Sequence, residues 1–288
     1  MGGRQVIMEN KFIIKKPQLF VPKKRRYIDS FYGHMLIEDF TNLYSIDKKG
    51  CEIIENSVFF RHFEKYQFQE ELSNIFFALL MEGKAYLKIV HLEESDSYRY
   101  RLFLINNRGV FYGMKNAYFI TKDYQGRLKI YKVKKTKVKK IDLKKFGLTK
   151  YNLRRMFKNL FKLSDMKLLN YSEFVKNNDI ENYMKRIDFY ALKYTKCVNW
   201  NVRGLLNLLL GQNKYYAWHR ELEFRILKIK IYRDVVHSVN ELAVSLNEEV
   251  FFSDKEIEKL LSFYETYRDK FLKNELSMEE MESAVYNL

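Results

Sequence analysis

With 288 residues, 47% of them apolar, the chain can bury a sizeable core, which excludes general disorder; with 11 glycines and 2 prolines it does not read as a loop-rich all-β fold. The formal net charge of +16 points towards polyanionic partners. Cys51 and Cys197 stand far apart in no metal spacing, which argues against a disulfide framework and fits a reducing compartment.

The distribution of charge says more than its sum. Between Arg127 and Leu163 there are 15 Lys and Arg against the single acid Asp142, a net of +14. Residues 1–30 hold 8 bases and 2 acids, a net of +6, whereas from Glu248 onward 5 bases meet 11 acids, a net of −6. A concentrated basic zone attracts polyanions by releasing their counterions. The joint abundance of Lys, Asn, Ile, Tyr and Phe also fits a lysine-biased coding composition that only solvates a surface, and charge pattern alone leaves both readings open.

Taken in order, residues 1–26 form a basic, weakly patterned arm with a cationic cluster at Lys23-Lys-Arg-Arg26. Tyr27–Tyr44 has apolar residues at helical spacing, Asp47–Gly50 is a turn, and Cys51–Phe60 is a short mixed segment. Gln67–Met81 is the strongest early helix, and Gly83 sits just past its end, where a left-handed cap favours glycine. Strand-like segments follow at Ala85–Val90, Tyr98–Ile105 and Val110–Tyr112. Tyr118–Thr121 and Arg127–Val133 flank the hairpin signal Asp123-Tyr-Gln-Gly126, and Val138–Leu143 alternates apolar residues with lysines. Lys150–Leu169 reads as an amphipathic helix whose polar face carries Arg154, Arg155, Lys158 and Lys162.

The remainder is helical in period. Ile187, Tyr190, Ala191 and Tyr194 form one stripe, and Leu205–Leu210 is strongly apolar between Gly204 and Gly211. A long helix is predicted over Tyr215–Leu246, although the alternation of Leu222, Phe224 and Ile226 also fits a bent helix or a strand piece. Ser253-Asp-Lys-Glu256 and Ser277-Met-Glu-Glu280 are capping boxes that open two further helices. The expected fold class is α+β: a helix plus a small, mainly antiparallel sheet in the N-terminal half, and mostly long helices in the C-terminal half. The expected domains are the arm 1–26, an α+β domain 27–169 containing the basic segment 127–163, and a helical domain 170–288.

Catalytic motifs are absent. His34, His62, His91, His219 and His237 show no metal spacing, Glu82-Gly-Lys84 lacks the flanking residues of a phosphate loop, and there is no nucleophile elbow. No catalytic residue, metal or cofactor is expected, and the chain does not read as an enzyme. Tyr215, Tyr216 and Trp218 beside His219 and Arg220 read as core or interface before they read as a base-stacking cluster. The candidate nucleic-acid-binding residues are Lys134, Lys135, Lys137, Lys139, Lys140, Arg154, Arg155 and Lys158. The longest apolar run, Ile75–Met81, is too short to span a bilayer, and Met1–Val6 has neither a signal core nor a myristoylation pattern. A soluble protein of the host cytoplasm or of a virion is expected, without a membrane partner.

Leu79-Leu-Met-Glu-Gly-Lys-Ala-Tyr-Leu-Lys-Ile-Val90, followed by Tyr100-Arg-Leu-Phe-Leu-Ile-Asn-Asn-Arg-Gly-Val110, resembles tailed-bacteriophage portal proteins. The hairpin Tyr118–Val133 and the strand Val138–Leu143 occupy matching order, and the resemblance covers roughly residues 60–145. It implies a structural ring subunit of about twelve copies in a phage or phage-derived element, with a DNA channel for genome packaging and ejection. It also implies DNA, copies of itself, a packaging motor and head-completion proteins as partners, and no catalytic residues. The chain departs from that family in being shorter and far more basic. The alternative reading is a basic cytosolic nucleic-acid-binding protein of a mobile element, a replication or regulatory factor; a nuclease built from scattered acids is the third.

Overall fold

A computed structural model describes residues 30–41, 65–91, 100–105, 110–122, 128–176, 189–200, 214–246 and 254–277, together with 279, 280 and 283. The expectations for residues 1–26, Asp47–Gly50, Cys51–Phe60 and Leu205–Leu210 lie outside the described residues. The elements in chain order are α1 (Phe31–Thr41), α2 (Lys65–Glu82), β1 (Lys84–His91), β2 (Tyr100–Ile105), β3 (Val110–Tyr112), β4 (Asn116–Lys122), β5 (Leu128–Lys134), β6 (Lys139–Asp142), α3 (Lys150–Lys176), α4 (Lys214–Val244) and α5 (Asp254–Leu272). A short helical stretch, 189–194, leads into a 3-10 turn at Lys196–Val198.

The architecture is α+β, and the strands fall where period-2 patterning predicts them. They form two three-stranded antiparallel sheets, ordered β2-β1-β6 and β3-β4-β5. Register explains how the first sheet is buried on both sides. Leu87 pairs with Leu104, Ile89 with Leu102, and Ala85 with Ile141, and these residues face the main core beneath the helices. The alternate positions, Tyr86 and its partner Ile105, face a second, smaller core shared with Ala117, Val110, Phe119 and Val133 of the other sheet and with Val138. A one-residue slip would exchange the two faces, so both cores hold the register.

Gly83 is the joint between helix and sheet. Its backbone is left-handed (φ 71°), and its N–H donates to the Leu79 carbonyl at 2.7 Å, closing α2. Its carbonyl accepts from the Leu143 N–H at 2.8 Å, just past the end of β6. A Cβ at this position would stand 3.2 Å from the backbone nitrogen of Lys150, at the start of α3. The end of α2, the exit of β6 and the start of α3 therefore meet around a residue that has room for no side chain. The 3-10 turn between β6 and α3, Leu143–Phe146, is capped by Asp142, which accepts from the Lys144 N–H at 3.0 Å, and it ends at Gly147 (φ 76°).

α4 is 31 residues long, about 46 Å at 1.5 Å per residue. Leu222, Phe224 and Ile226 are all buried although successive members lie on opposite sides of the helix. The alternation that also fits a strand is thus the mark of a helix covered on two opposite sides, packed on β1 and β6 and on α5, while His237, Glu241 and Val244 stay exposed. Phe224 meets Phe40 of α1 edge-on, with ring centroids 4.9 Å apart. One continuous core runs from Tyr32 in α1 through both halves of the chain to Tyr264 in α5.

Two buried cations on α4 satisfy backbone carbonyls. Arg220 donates to the carbonyls of Trp200 (2.7 Å) and Leu192 (3.2 Å). Lys228 donates to the carbonyl of Asp39, one of the last carbonyls of α1, which have no helical donor. The Asp39 carboxylate in turn accepts from Trp200 Nε1 at 2.6 Å. Burial pushes the Lys228 ammonium down to about 7, against the pull of Asp39 and Glu221. The Ser277 box is present as reciprocal bonds: the Ser277 N–H donates to Glu280 Oε2 (2.9 Å) and the Glu280 N–H to Ser277 Oγ (3.2 Å).

Two outcomes follow from this packing. Gly83→Ala should lower stability by about 1–3 kcal/mol through left-handed strain and crowding of α3, and Gly147→Ala, which meets nothing within 4 Å, should cost about 1 kcal/mol, as read by urea unfolding. Because the folded pKa of Lys228 lies below its unfolded value, the unfolded chain binds the extra proton between about pH 7 and 10.5; stability should rise with pH across that window, and Lys228→Met should flatten the rise.

Candidate nucleic-acid interface

α3 is placed by what it buries. Leu153, Met156, Phe157, Leu160 and Leu163 lie in the main core, and Thr149 caps the helix by accepting from the Asn152 N–H at 3.2 Å. Glu82, the buried last residue of α2, takes an ion pair from Lys150 and a longer one from Arg154 Nη2 at 3.7 Å. A carboxylate at this end of α3 also complements the helix dipole. The joint at Gly83 therefore sets which face of α3 turns outward. That face carries Tyr151, Arg155, Lys158 and Lys162, all exposed and at spacings of four, three and four residues, which is a straight stripe along the helix.

The eight bases singled out from the sequence separate into two groups. Lys139 faces the helices and pairs with Glu241 of α4 at 3.0 Å, and Lys140 pairs with Asp142 at 2.5 Å. Burial works against the Asp142 charge, but Lys140, the Lys144 N–H and the nearby Lys84 hold its carboxyl below the ordinary range. Arg154 leans to Glu82, and Lys145 pairs with Asp234 of α4. These cations are anchored on the fold's own acids.

Lys134, Lys135, Arg155 and Lys158 are exposed, and among the described residues no carboxylate pairs with them. The same holds for Lys132, Lys144 and Lys162. Lys135 lies over the ring of Tyr112 at 5.7 Å, and burial, with the neighbouring Tyr86, pushes the Tyr112 hydroxyl up to about 12. Lys137 is half-buried at the turn between β5 and β6 and keeps an interaction within the fold. The sequence offers all eight bases as candidate nucleic-acid contacts; the structure leaves four of them exposed without a carboxylate partner among the described residues, and Lys132, Lys144 and Lys162 share that state.

The other candidates resolve as packing. Trp218 is buried in the main core while Tyr216 is exposed, with Arg220 6.0 Å from its ring. His219 stacks on Phe271 with ring centroids 6.0 Å apart. Among the described residues no group of His, Cys, Asp and Glu side chains converges as a metal site requires, and no helix is long and apolar enough to cross a membrane. No family model matches the chain, and neither the curated proteins nor the solved structures contain a match.

The two groups of bases should separate in stability measurements. Lys139→Gln should cost about 0.5 kcal/mol, an effect that shrinks in high salt, and Lys150→Gln about 1–3 kcal/mol because Glu82 is then left buried with only the distant Arg154. Lys134→Gln and Arg155→Gln should leave the urea midpoint unchanged.

Proposed function

We propose that this protein binds nucleic acid through an electrostatic surface formed by the outward stripe of α3 and the exposed lysines between Lys132 and Lys144. The observation that carries this reading is the set of seven exposed bases in that segment with no carboxylate partner among the described residues. Lysines and arginines on a merely solvated face are commonly interspersed with acids; here the local acids Glu82, Asp142, Asp234 and Glu241 are already engaged by other bases. Arg155 to Lys162 spans seven residues, about 10 Å along α3. Such contacts position a nucleic-acid backbone and read no sequence.

A second reading, the portal-like ring subunit, draws support from the order of elements that carries the resemblance. α2 closes at Gly83 in a left-handed cap and leads into β1 and then β2. In such a ring the same basic surface would serve packaged DNA. A native mass of about twelve subunits would support the ring, and a monomer at high concentration with and without DNA would count against it.

The electrostatic reading is tested by salt. Replacing Arg155, Lys158 and Lys162 together with Gln should reduce the slope of log affinity for duplex DNA against log salt by about 2–3, at unchanged folded stability. An unchanged slope removes α3 from the interface.

A further inference from the structure

The sheet β3-β4-β5 has two very different faces. The inner one, with Val110, Ala117, Phe119 and Val133, is covered by Tyr86, Ile105 and Val138. The outer one is set by register: Phe111 pairs with Tyr118, and Tyr118 with Lys132, so the three side chains form one row across the sheet. Ile130 and Lys134 stand on the same face of β5, two residues either side of Lys132.

This row is open. Phe111 is 58% exposed and Ile130 69%, Lys132 and Lys134 are exposed, and Tyr118 is half-buried with its ring against Gly113. Single exposed apolar residues are ordinary, but a phenyl beside a phenol on a sheet whose inner face already has its core leaves ring surface open to a ligand. Nor is the face neutral. The three strands contain four lysines and no Asp or Glu, and Lys115 adds a further exposed base at the turn into β4. A face that has rings at its centre, exposed ammonium groups around them and no acid among the described residues of its strands complements a ligand with flat π-faces and a negative backbone.

We infer that the outer face of β3-β4-β5 binds single-stranded nucleic acid, with unpaired bases stacked on Phe111 and Tyr118 and phosphates held by Lys132, Lys134 and Lys115. The physical reason for single strands is access: in a duplex the base faces are already stacked, and only an unpaired base can lay its π-face on a side-chain ring. The inference shares its partner class and the lysines Lys132 and Lys134 with the function proposed above, but it adds an aromatic face, and with it a preference that the α3 stripe cannot produce, because phosphate contacts alone do not require unpaired bases.

The test is fluorescence anisotropy at low salt with a labelled oligothymidylate of about 15 nucleotides and a duplex of equal length. Wild type should favour the single strand. Phe111→Ala and Phe111→Leu should each weaken single-strand binding about five- to a hundred-fold and leave duplex binding within about twofold, while Phe111→Tyr retains it. The leucine variant keeps apolar area without a ring, so if it binds the single strand like wild type the contact is apolar docking and the inference is overturned. Equal loss on single strand and duplex, or no loss with Phe111→Ala, overturns it as well and leaves the α3 surface standing. Binding of neither oligonucleotide by wild type overturns both. Phe111 is mostly exposed, so its variants should keep the wild-type thermal melt; Tyr118→Leu serves as the second variant with the same expected losses.

Discussion

The enclosure of α4 is the constraint on which the other described elements depend. A helix with apolar residues on opposite sides must be covered on both, and here β1 and β6 cover one side and α5 another, while Phe40 of α1 meets Phe224. Burial also removes water from the polar groups on the covered sides of α4, so these need partners inside the protein. Arg220 Nη2 and the Lys228 ammonium meet that need by donating to carbonyls at the ends of neighbouring segments, which ties residues 192–200 and α1 to the same helix, whereas Arg220 Nε and the Tyr232 hydroxyl are buried without a hydrogen-bond partner among the described residues. The price is a buried ammonium whose charge is disfavoured. Arg225 shows the opposite balance: burial works against its charge, yet Glu221 at 2.9 Å and the Tyr264 hydroxyl hold the guanidinium above its ordinary range.

α4 also decides which charges remain available at the surface. Two of its acids, Asp234 and Glu241, reach back to Lys145 and Lys139 of the basic segment. Its outer bases turn instead to α5, where Lys230 pairs with Glu265 at 2.6 Å and Arg233 with Glu258 at 3.0 Å. The acidic C-terminal part of the chain is thus partly used against α4, and among the described residues none of its carboxylates pairs with the outward stripe of α3. Charge polarity along the sequence becomes, in part, charge separation in the folded protein.

The joint at Glu82 and Gly83 links this core to the proposed interface. Glu82 holds Lys150 and Arg154, Gly83 leaves space for the α3 backbone, and the core residues of α3 complete its orientation. The outer face of β3-β4-β5 is positioned by a separate device, the small core between the two sheets. The proposed phosphate-binding stripe of α3 and the proposed base-stacking face of β3-β4-β5 are therefore held in place by different contacts of one scaffold.

Local pattern was enough to place the elements. The period of apolar residues located α2, α3, α4 and α5, the alternation located the strands to within about two residues, and Gly83 announced the end of α2, because these depend on neighbours three or four residues away. What the sequence could not contain was partnership across long separations. Lys139 and Lys134 look alike in a basic run, yet one meets Glu241, about a hundred residues on, and the other meets no acid among the described residues. The spacing predicts a long helix through Leu222, Phe224 and Ile226, but their alternation also fits a bent helix or a strand piece until the surroundings of α4 show that opposite sides are covered. Helices and strands were determined by short-range periodicity; which cations are anchored and which are presented was decided only when tertiary packing brought the acids of α2 and α4 against the basic segment, since an ion pair depends on distance in space.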